Sequence, residues 1–286
     1  AAGIDPATVA DQIEFTLAIG PDQFLEMAKF RAVRRLWSRV LEECGVEPDR
    51  RRSATYGATS GRMIAAIDPW VNMLRVTTAT FAAGTGGADG ITVTPFDRAL
   101  GQPGGLGRRI ARNTQIVLQD ESSLGRIADP LAGSWYGEKL TDELARAGWD
   151  RFTGIEAEGG ARAALASGSI AAALTELADR REDELVHRRR VMTGVNEFPL
   201  LGDDGTDTAP ADPGDLGARD AARLAERPAV DTGKLEAAEP GRLLREAASL
   251  AVAGAPIDRL CAALGAEEAT IAPLRPRPDE GPFHRM

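Results

Sequence analysis

Histidine and cysteine are scarce here: 286 residues hold two of each. His187 and His284 both sit in charged, surface-like stretches, so a histidine-rich catalytic or metal centre is not expected. Cys44 and Cys261 are far apart and lack metal-type spacing, which reads as two reduced thiols in a cytoplasmic protein. No apolar run approaches the ~20 residues that cross a bilayer, so no membrane span is expected. The net charge of −9 argues against a nucleic-acid partner, because phosphate binding is driven by Lys and Arg. The clusters Arg50-Arg51-Arg52 and Arg188-Arg189-Arg190 are short and read as solvated helix ends. Ala1-Ala2-Gly3-Ile4-Asp5-Pro6 has neither the basic flank nor the apolar core of a signal peptide. An initiator Met is missing too, so the chain reads as an excerpt of something longer.

What is present is an ordinary composition, 43% hydrophobic, in a chain long enough for one large domain or two smaller ones. Asp5 and Pro6 suit the cap and first position of a short helix ending near Ala10. Residues 13–19 suit a strand. A long helix follows from Asp22 to about Gly45, with Phe24, Ala28, Ala32, Leu36 and Val40 in an i, i+4 ladder and Trp37 beside it. Residues 53–58 read as a second strand. Asp68-Pro69-Trp70 opens a helix toward Gly84 that carries Val71, Leu74 and Thr78 on one side. Residues 91–94 form a third strand, and the glycines from Gly101 to Gly107 a loop. An amphipathic helix then runs from Arg108 to Ser122, with Ile110, Thr114, Val117, Leu118 and Glu121 at helical spacing. Asn113 and Gln115 in its middle suit structural hydrogen bonds. A last short strand is expected within residues 127–136. Strand and helix in alternation imply parallel pairing with crossover helices, which fits both a doubly wound sheet and an eightfold barrel.

Beyond this lies a second helical block, from Thr141 to about Arg190. Residues 202–215 hold five Asp and no basic residue, the composition of a flexible linker. A helical pattern returns from Pro240 to Leu264, and the last dozen residues are rich in Pro and Arg.

Few residues suggest chemistry by themselves. Gly84-x-Gly86-Gly87 follows a helix and precedes a strand, the reverse of a phosphate loop, and reads as a helix stop. Asp120-Glu121 and Asp142-Glu143 are adjacent helical positions that diverge, so neither is a shared-proton dyad. Thr59-Ser60-Gly61 offers a hydroxyl with no nearby His and no nucleophile elbow. Tyr56, Trp70, Trp135 and Tyr136 read as core aromatics before pocket walls. Residue chemistry alone yields no catalytic constellation and no metal site.

Several strings, in order, nevertheless resemble one family. They are Ala28-Lys29-Phe30-Arg31-Ala32-Val33-Arg34-Arg35-Leu36-Trp37, Thr59-Ser60-Gly61, Asp68-Pro69-Trp70-Val71-Asn72-Met73-Leu74-Arg75 and Phe96-Asp97-Arg98-Ala99-Leu100. The helix Arg108-Arg109-Ile110-Ala111-Arg112-Asn113-Thr114-Gln115 follows, then Asp129-Pro130-Leu131-Ala132-Gly133-Ser134-Trp135-Tyr136, Leu140-Thr141-Asp142-Glu143-Leu144 and Gly194-Val195-Asn196. Across roughly residues 12–200 the chain is similar to the cobalamin-dependent acyl-CoA mutases, whose best-known member is methylmalonyl-CoA mutase. The resemblance implies an α/β fold: the second half of a (βα)8 TIM-type barrel over residues 1–140, a helical extension packing on it over 141–200, and a mostly helical linker over 201–286. In that family the barrel holds acyl-CoA along its axis. A separate C-terminal domain carries cobalamin through Asp-x-His-x-x-Gly, a motif that neither histidine here satisfies.

The resemblance also marks where this chain departs from catalytic members. They carry Arg-x-Ser-Phe where Gln12-Ile13-Glu14-Phe15 stand, and Glu14 would repel an anionic ligand. They carry His-x-Gln where this chain has Tyr56-Gly57-Ala58. Their His-Thr-Asn-Ser-Phe-Asp-Glu is replaced by Thr92-Val93-Thr94-Pro95-Phe96-Asp97-Arg98. Gln12, Glu14, Tyr56, Ala58 and Thr94 thus occupy substrate-binding positions in substituted form, and Gly61, Arg98 and Gly101 the positions of cofactor contacts. No catalytic residue is expected. The stretches 68–75 and 83–89 look most like the small subunit of heterodimeric members. That implies a non-catalytic chain beside a large catalytic subunit that binds adenosylcobalamin and the acyl-CoA, with methylmalonyl-CoA and succinyl-CoA as the interconverted pair. An active mutase chain whose other parts lie outside this sequence, and a plain scaffold protein, are the alternatives.

Overall fold

The computed structural model describes residues 5–200, 222–223, 230–236, 242–264, 277 and 279. The chain divides into two compact units, one formed by Ala1–Ala211 with Pro273–Met286, the other by Asp212–Ala272.

The first unit opens with α1 (Pro6–Ala10), capped by the Asp5 carboxylate, which accepts from Thr8 N at 3.0 Å. Strands β1 (Phe15–Ile19), β2 (Thr55–Thr59) and β3 (Gly90–Thr92) alternate with α2 (Gln23–Glu43) and α3 (Val71–Thr85). All pairs are parallel, in the order β1-β2-β3, as the alternation of elements implies. Leu17 and Ile19 from β1 and Ile91 with Val93 from around β3 pack with Phe30 of α2, Val76, Ala79 and Ala83 of α3, and Ala111 of α4 (Gly105–Ile116). All three helices therefore cover the same face of the sheet.

The buried stripes differ from the hydropathy pattern in two helices. In α2, Ala28 and Ala32 are buried but Phe24 is 46% exposed, while Met27 and Phe30 are buried off the expected ladder. The reason is that α2 is packed on two sides, by the sheet through Phe30 and by an outer layer through Met27 and Ala28. In α3 the buried stripe is Asn72, Val76, Ala79 and Ala83, and Leu74 is 69% exposed. That stripe begins on a polar residue, which hydrophobic periodicity does not count.

The helix expected from Arg108 starts three residues earlier, and its last turn, Val117–Glu121, is π-helical. Among the described residues, neither Asn113 nor Gln115 makes the side-chain hydrogen bond expected of it.

The fourth strand expected within residues 127–136 does not form. Asp129 has φ 45°, Ala132 N donates to Asp129 O at 3.0 Å, and Pro130 has no N–H to give a ladder. Leu131 instead packs on Met27, Ala28 and Ala82, with Leu140 and Leu144 beside it. The chain thus crosses the outer surface of the helix layer, and α5 (Trp135–Ala157) lies along α2 as a third layer. The helical block begins at Trp135 rather than Thr141 and continues as α6 (Ala161–Ser167) and α7 (Ser169–Val186), broken at Gly160 and Gly168, which have φ 85° and 80°. Leu185 then joins Ala65, Met192 and Val195 in a separate cluster.

In the second unit, α8 (Gly233–Glu236), α9 (Leu243–Val252) and α10 (Ile257–Ala263) bury Leu235, Leu250, Ala255 and Leu260. Gly254, at φ 106°, and Pro256 separate the last two. The linker expected at 202–215 lies outside the described residues. Among those residues no helix is long and apolar enough to cross a membrane.

Candidate functional site

The face of the sheet turned away from the helices is the feature that organises the candidate positions. Strand alternation puts Thr16 and Ala18, Tyr56 and Ala58, and Gly90 and Thr92 on it. They stand in register: Thr16 opposite Tyr56, Tyr56 opposite Gly90, Ala18 opposite Ala58, and Ala58 opposite Thr92. Thr16, Ala18 and Thr92 are exposed. Parallel sheets ordinarily have both faces covered, and among the described residues this one leaves a face bare.

Among the described residues no further strand pairs with either edge. Phe15 N donates to Ala54 O at 3.0 Å and Ser60 N to Ile19 O at 2.8 Å, so the odd residues of β1 turn toward β2. The backbone groups of Thr16 and Ala18 therefore point outward. One of them is covered: Lys29 Nζ donates to Ala18 O at 2.5 Å and also pairs with Glu26.

Glu14 is exposed just before β1, on the side of Thr16 by alternation, and Tyr56 and Ala58 are half-buried on β2. The Tyr56 ring lies over Gly90, where a Cβ would stand 3.0 Å from its Cδ1. Thr94 continues the line of β3, but its polar groups are engaged. Its N–H donates to Thr59 Oγ1 at 2.7 Å and its Oγ1 to Thr59 O at 3.2 Å. Gln12 is not brought to this face; it lies exposed in the turn after α1, with its N–H on Val9 O at 3.0 Å. Gly61, Arg98 and Gly101 lie in the loops beyond the C-terminal ends of the strands. Gly61 is exposed with open space around it. Arg98 is exposed and donates through Nη1 to Gly101 O at 3.1 Å, and Gly101, at φ 135°, adopts a backbone that favours glycine. Among these face positions the one charged side chain is Glu14. Ser60, weighed as a nucleophile, accepts from Arg62 N at 3.3 Å and starts a short turn.

The residues that carry most of the order were not legible as site residues. Asn72, fully buried, accepts from Ala65 N at 3.0 Å and Arg75 Nη1 at 2.7 Å and donates to Ala65 O at 2.7 Å and Phe96 O at 2.8 Å. It ties the start of α3 to the loops after β2 and β3. Asp97 is 3% exposed and accepts from Gly104 N at 2.7 Å, just ahead of α4. Asn196 accepts from Met192 N at 2.6 Å and donates to Leu185 O and Arg190 O, folding the turn after α7. Their only signal was membership in the recognised strings.

The string at 28–37 is a clamp between layers. Arg31 donates to Thr141 Oγ1 at 2.8 Å, Glu138 Oε1 at 2.7 Å and Asp129 Oδ2 at 3.2 Å. Burial acts to lower its pKa, but the Glu138 and Asp129 carboxylates outweigh burial and raise it. Arg34 donates to Gly86 O at 2.7 Å and Gly87 O at 3.2 Å, closing the C-terminus of α3, and burial pushes its pKa down. Gly84-x-Gly86-Gly87 is thus the helix stop expected of it, with Gly87 at φ 84°.

Of the four aromatics expected in the core, Tyr56 is half-buried and the other three are exposed. Trp135 is 93% exposed, Tyr136 60% and Trp70 44%. Tyr136 meets Phe24 edge-on at 5.6 Å, and Trp70 stacks on Phe96 at 5.0 Å. His187 stands exposed just past α7, its Nδ1 2.9 Å from an Asp183 carboxylate oxygen, and His284 lies outside the described residues. Among the described residues no three His, Cys, Asp or Glu side chains are grouped to hold a metal ion.

A sequence profile for the family described as "Methylmalonyl-CoA mutase" matches residues 1–266. A "Methylmalonyl-CoA mutase small subunit" of Streptomyces virginiae is 50% identical over 200 residues, 70% of this chain and 32% of that protein. The small subunit of Propionibacterium freudenreichii subsp. shermanii is 40% identical over 209 residues, 73% of this chain and 33% of that protein. A "Methylmalonyl-CoA mutase" of Cereibacter sphaeroides is 35% identical over 277 residues, 92% of this chain and 39% of that protein. The chain spans about a third of the length of the small subunits it matches. With the strings at 28–37, 68–75 and 129–136 engaged in holding its layers together, the chain belongs to the methylmalonyl-CoA mutase family.

Proposed function

We propose that this chain is part of a non-catalytic small subunit that supports a large catalytic subunit in a heterodimeric isomerase interconverting methylmalonyl-CoA and succinyl-CoA. The observation that carries the reading is the bare sheet face. A coenzyme A ester is a polyanion and needs cations where it binds. Among the described residues this face offers Glu14 and the Tyr56 ring, no cationic side chain of its own, and a Thr94 hydroxyl already bonded to Thr59; Lys29, at the β1 edge, is held by Glu26 and Ala18 O. The substitutions at Gln12, Glu14, Tyr56, Ala58 and Thr94 point the same way.

Three consecutive parallel strands with α2, α3 and α4 on one face, and no further strand on either edge among the described residues, support assignment to part of a (βα)8 barrel. In this reading residues 1–140 belong to the barrel, 141–200 pack on it, and 201–286 lead on as a linker. Strands from elsewhere in the subunit close the barrel and cover the bare face.

Cobalamin held through a histidine axial ligand does not fit the described residues. His187 is exposed just past α7, and Leu185 and Arg190 stand where the family's Asp-x-His-x-x-Gly motif has its Asp and Gly. No step of the isomerisation is assigned to this chain, and adenosylcobalamin belongs to the partner.

The test is a titration of the full-length small subunit, alone and with its large subunit, with adenosylcobalamin and with methylmalonyl-CoA. The expected result is no saturable binding by the small subunit alone and a single cofactor per heterodimer. Stoichiometric binding by the small subunit alone overturns the reading in favour of an active mutase chain. Failure to associate with any mutase subunit favours a scaffold.

A further inference from the structure

The two edges of the three-stranded sheet are blunted in different ways. At one edge β3 is only three residues long, and Pro95 shortly after it has no N–H to offer. At the other edge β1 runs for five residues, and Thr16 and Ala18 are exposed with their backbone groups pointing outward. Within β1 the last of these outward acceptors, Ala18 O, is taken by a side chain. Lys29 of α2 reaches back eleven residues and donates to it through Nζ at 2.5 Å.

That ammonium is braced from behind. Glu26, one helical turn before Lys29, is 6% exposed, and its carboxylate pairs with Lys29 Nζ. Glu26 Oε1 lies against the end of β1, where a Cβ on Gly20 would stand 3.3 Å from it. A carboxylate this buried needs a cation beside it, so Glu26 as well as the carbonyl draws Lys29 to the edge. The Lys29 side chain stays a third exposed, which keeps its charge at the surface. A strand adding to β1 beyond the Ala18 N–H would displace the ammonium from two oxygen partners and leave Glu26 buried without its cation. Unpaired edges are where copies of a chain join, and lysine is a residue that prevents it.

We propose that Lys29, braced by Glu26, is an edge guard that keeps a second copy of this chain from pairing its own strand alongside β1. Such pairing would run the backbone ladder through Thr16 and Ala18. The guard removes the last acceptor of that ladder and sets a charge at its end. A strand that stops at the Ala18 N–H can still pair, so the guard limits the length of the added strand and does not close the edge altogether. It acts independently of what the bare face binds.

Sedimentation velocity over a concentration series of the 286-residue chain tests it. Lys29→Met combined with Glu26→Gln removes the guard without leaving a buried carboxylate unpaired. The expected result is association at about tenfold lower concentration than in the wild type, the worth of one more backbone acceptor at the edge. Thr16→Pro removes an outward N–H and spares the β1–β2 ladder. It should return the unguarded variant to wild-type behaviour and change nothing in the wild type itself. Lys29→Gln, too short to reach Ala18 O, is the second variant and is read in the same way if the first does not fold. A folded variant that associates no more readily than the wild type overturns the guard. So does association that Thr16→Pro fails to reverse, and so does wild-type association that Thr16→Pro relieves, which would show the edge pairing in spite of Lys29.

Discussion

A Cβ placed on Gly107 would stand 2.1 Å from Oδ1 of Asp97, so the buried carboxylate lies directly against the first turn of α4. The same carboxylate accepts from Gly104 N, and nothing larger than hydrogen fits between the two residues. Gly107→Ala should therefore destabilise the fold by about 2 kcal/mol or more through overpacking and loss of the cap. Gly61→Ala is the contrast: no atom lies within 4 Å of its added Cβ, and the change should stay within about 0.5 kcal/mol. Urea melts of both variants decide this. Equal costs would contradict the placement of Gly61 in open space.

Asn72 predicts a second large effect. Asn72→Ala leaves Ala65 N–H and the carbonyls of Ala65 and Phe96 buried without this partner and takes one acceptor from Arg75. A loss of about 3 kcal/mol is expected by chemical denaturation. A cost below about 1 kcal/mol would mean that the bracket is dispensable.

Glu138 predicts a pH dependence. The Arg31 guanidinium, and after it the Gly133 N–H, hold its carboxyl below the usual carboxylate range. The folded pKa lies under the unfolded one, so the contribution is complete above the ordinary value of 4.5 and fades as pH falls through the lower folded value. The melting-temperature difference between the wild type and Glu138→Gln should be constant near neutrality and close in acid. A gap that widens in acid would reverse the sign. Because Glu138 is exposed, the gap should be small and should shrink further in salt.

The free edge of β1 predicts an alternation in amide exchange. Leu17 and Ile19 turn toward β2, whereas the Thr16 and Ala18 amides point outward. By nuclear magnetic resonance, Thr16 and Ala18 should exchange much faster than Leu17 and Ile19 in this chain alone. Both should become protected when the rest of the subunit is present. Equal protection of all four in the isolated chain would show an edge already paired.

Trp135, 93% exposed at the start of α5, should dominate quenching by acrylamide. Trp135→Phe is expected to remove the most accessible component of the emission and leave the thermal melt nearly unchanged. A blue-shifted, unquenchable Trp135 would mean that its side chain is covered.

Much of the chain could be read in advance because its signals are local. The cap at Asp5, the glycine stop after α3 and the strand alternation around Tyr56 and Ala58 each depend on a few neighbouring residues. The fourth strand that composition predicts fails for the same reason. Residues 127–136 resemble a strand by composition, yet Asp129 turns into the left-handed region and Leu131 finds its partners in Met27 and Ala82, which no local pattern reveals. Periodicity predicts Phe24 and Leu74 inward, and they turn outward because α2 is packed on two sides and the buried stripe of α3 starts at Asn72; residue type predicts Trp135 inward, and it stands exposed at the start of α5.

The sequence by itself determined the parallel α/β rhythm and the family, since these follow from residue order. Only the tertiary structure decided which sheet face stays bare, that Arg31 clamps α5 to α2, and that Lys29 covers Ala18 O at the edge of β1. Those outcomes rest on contacts between residues far apart in the chain. Burial and charge pairing select such contacts by three-dimensional fit, to which sequence spacing gives no access.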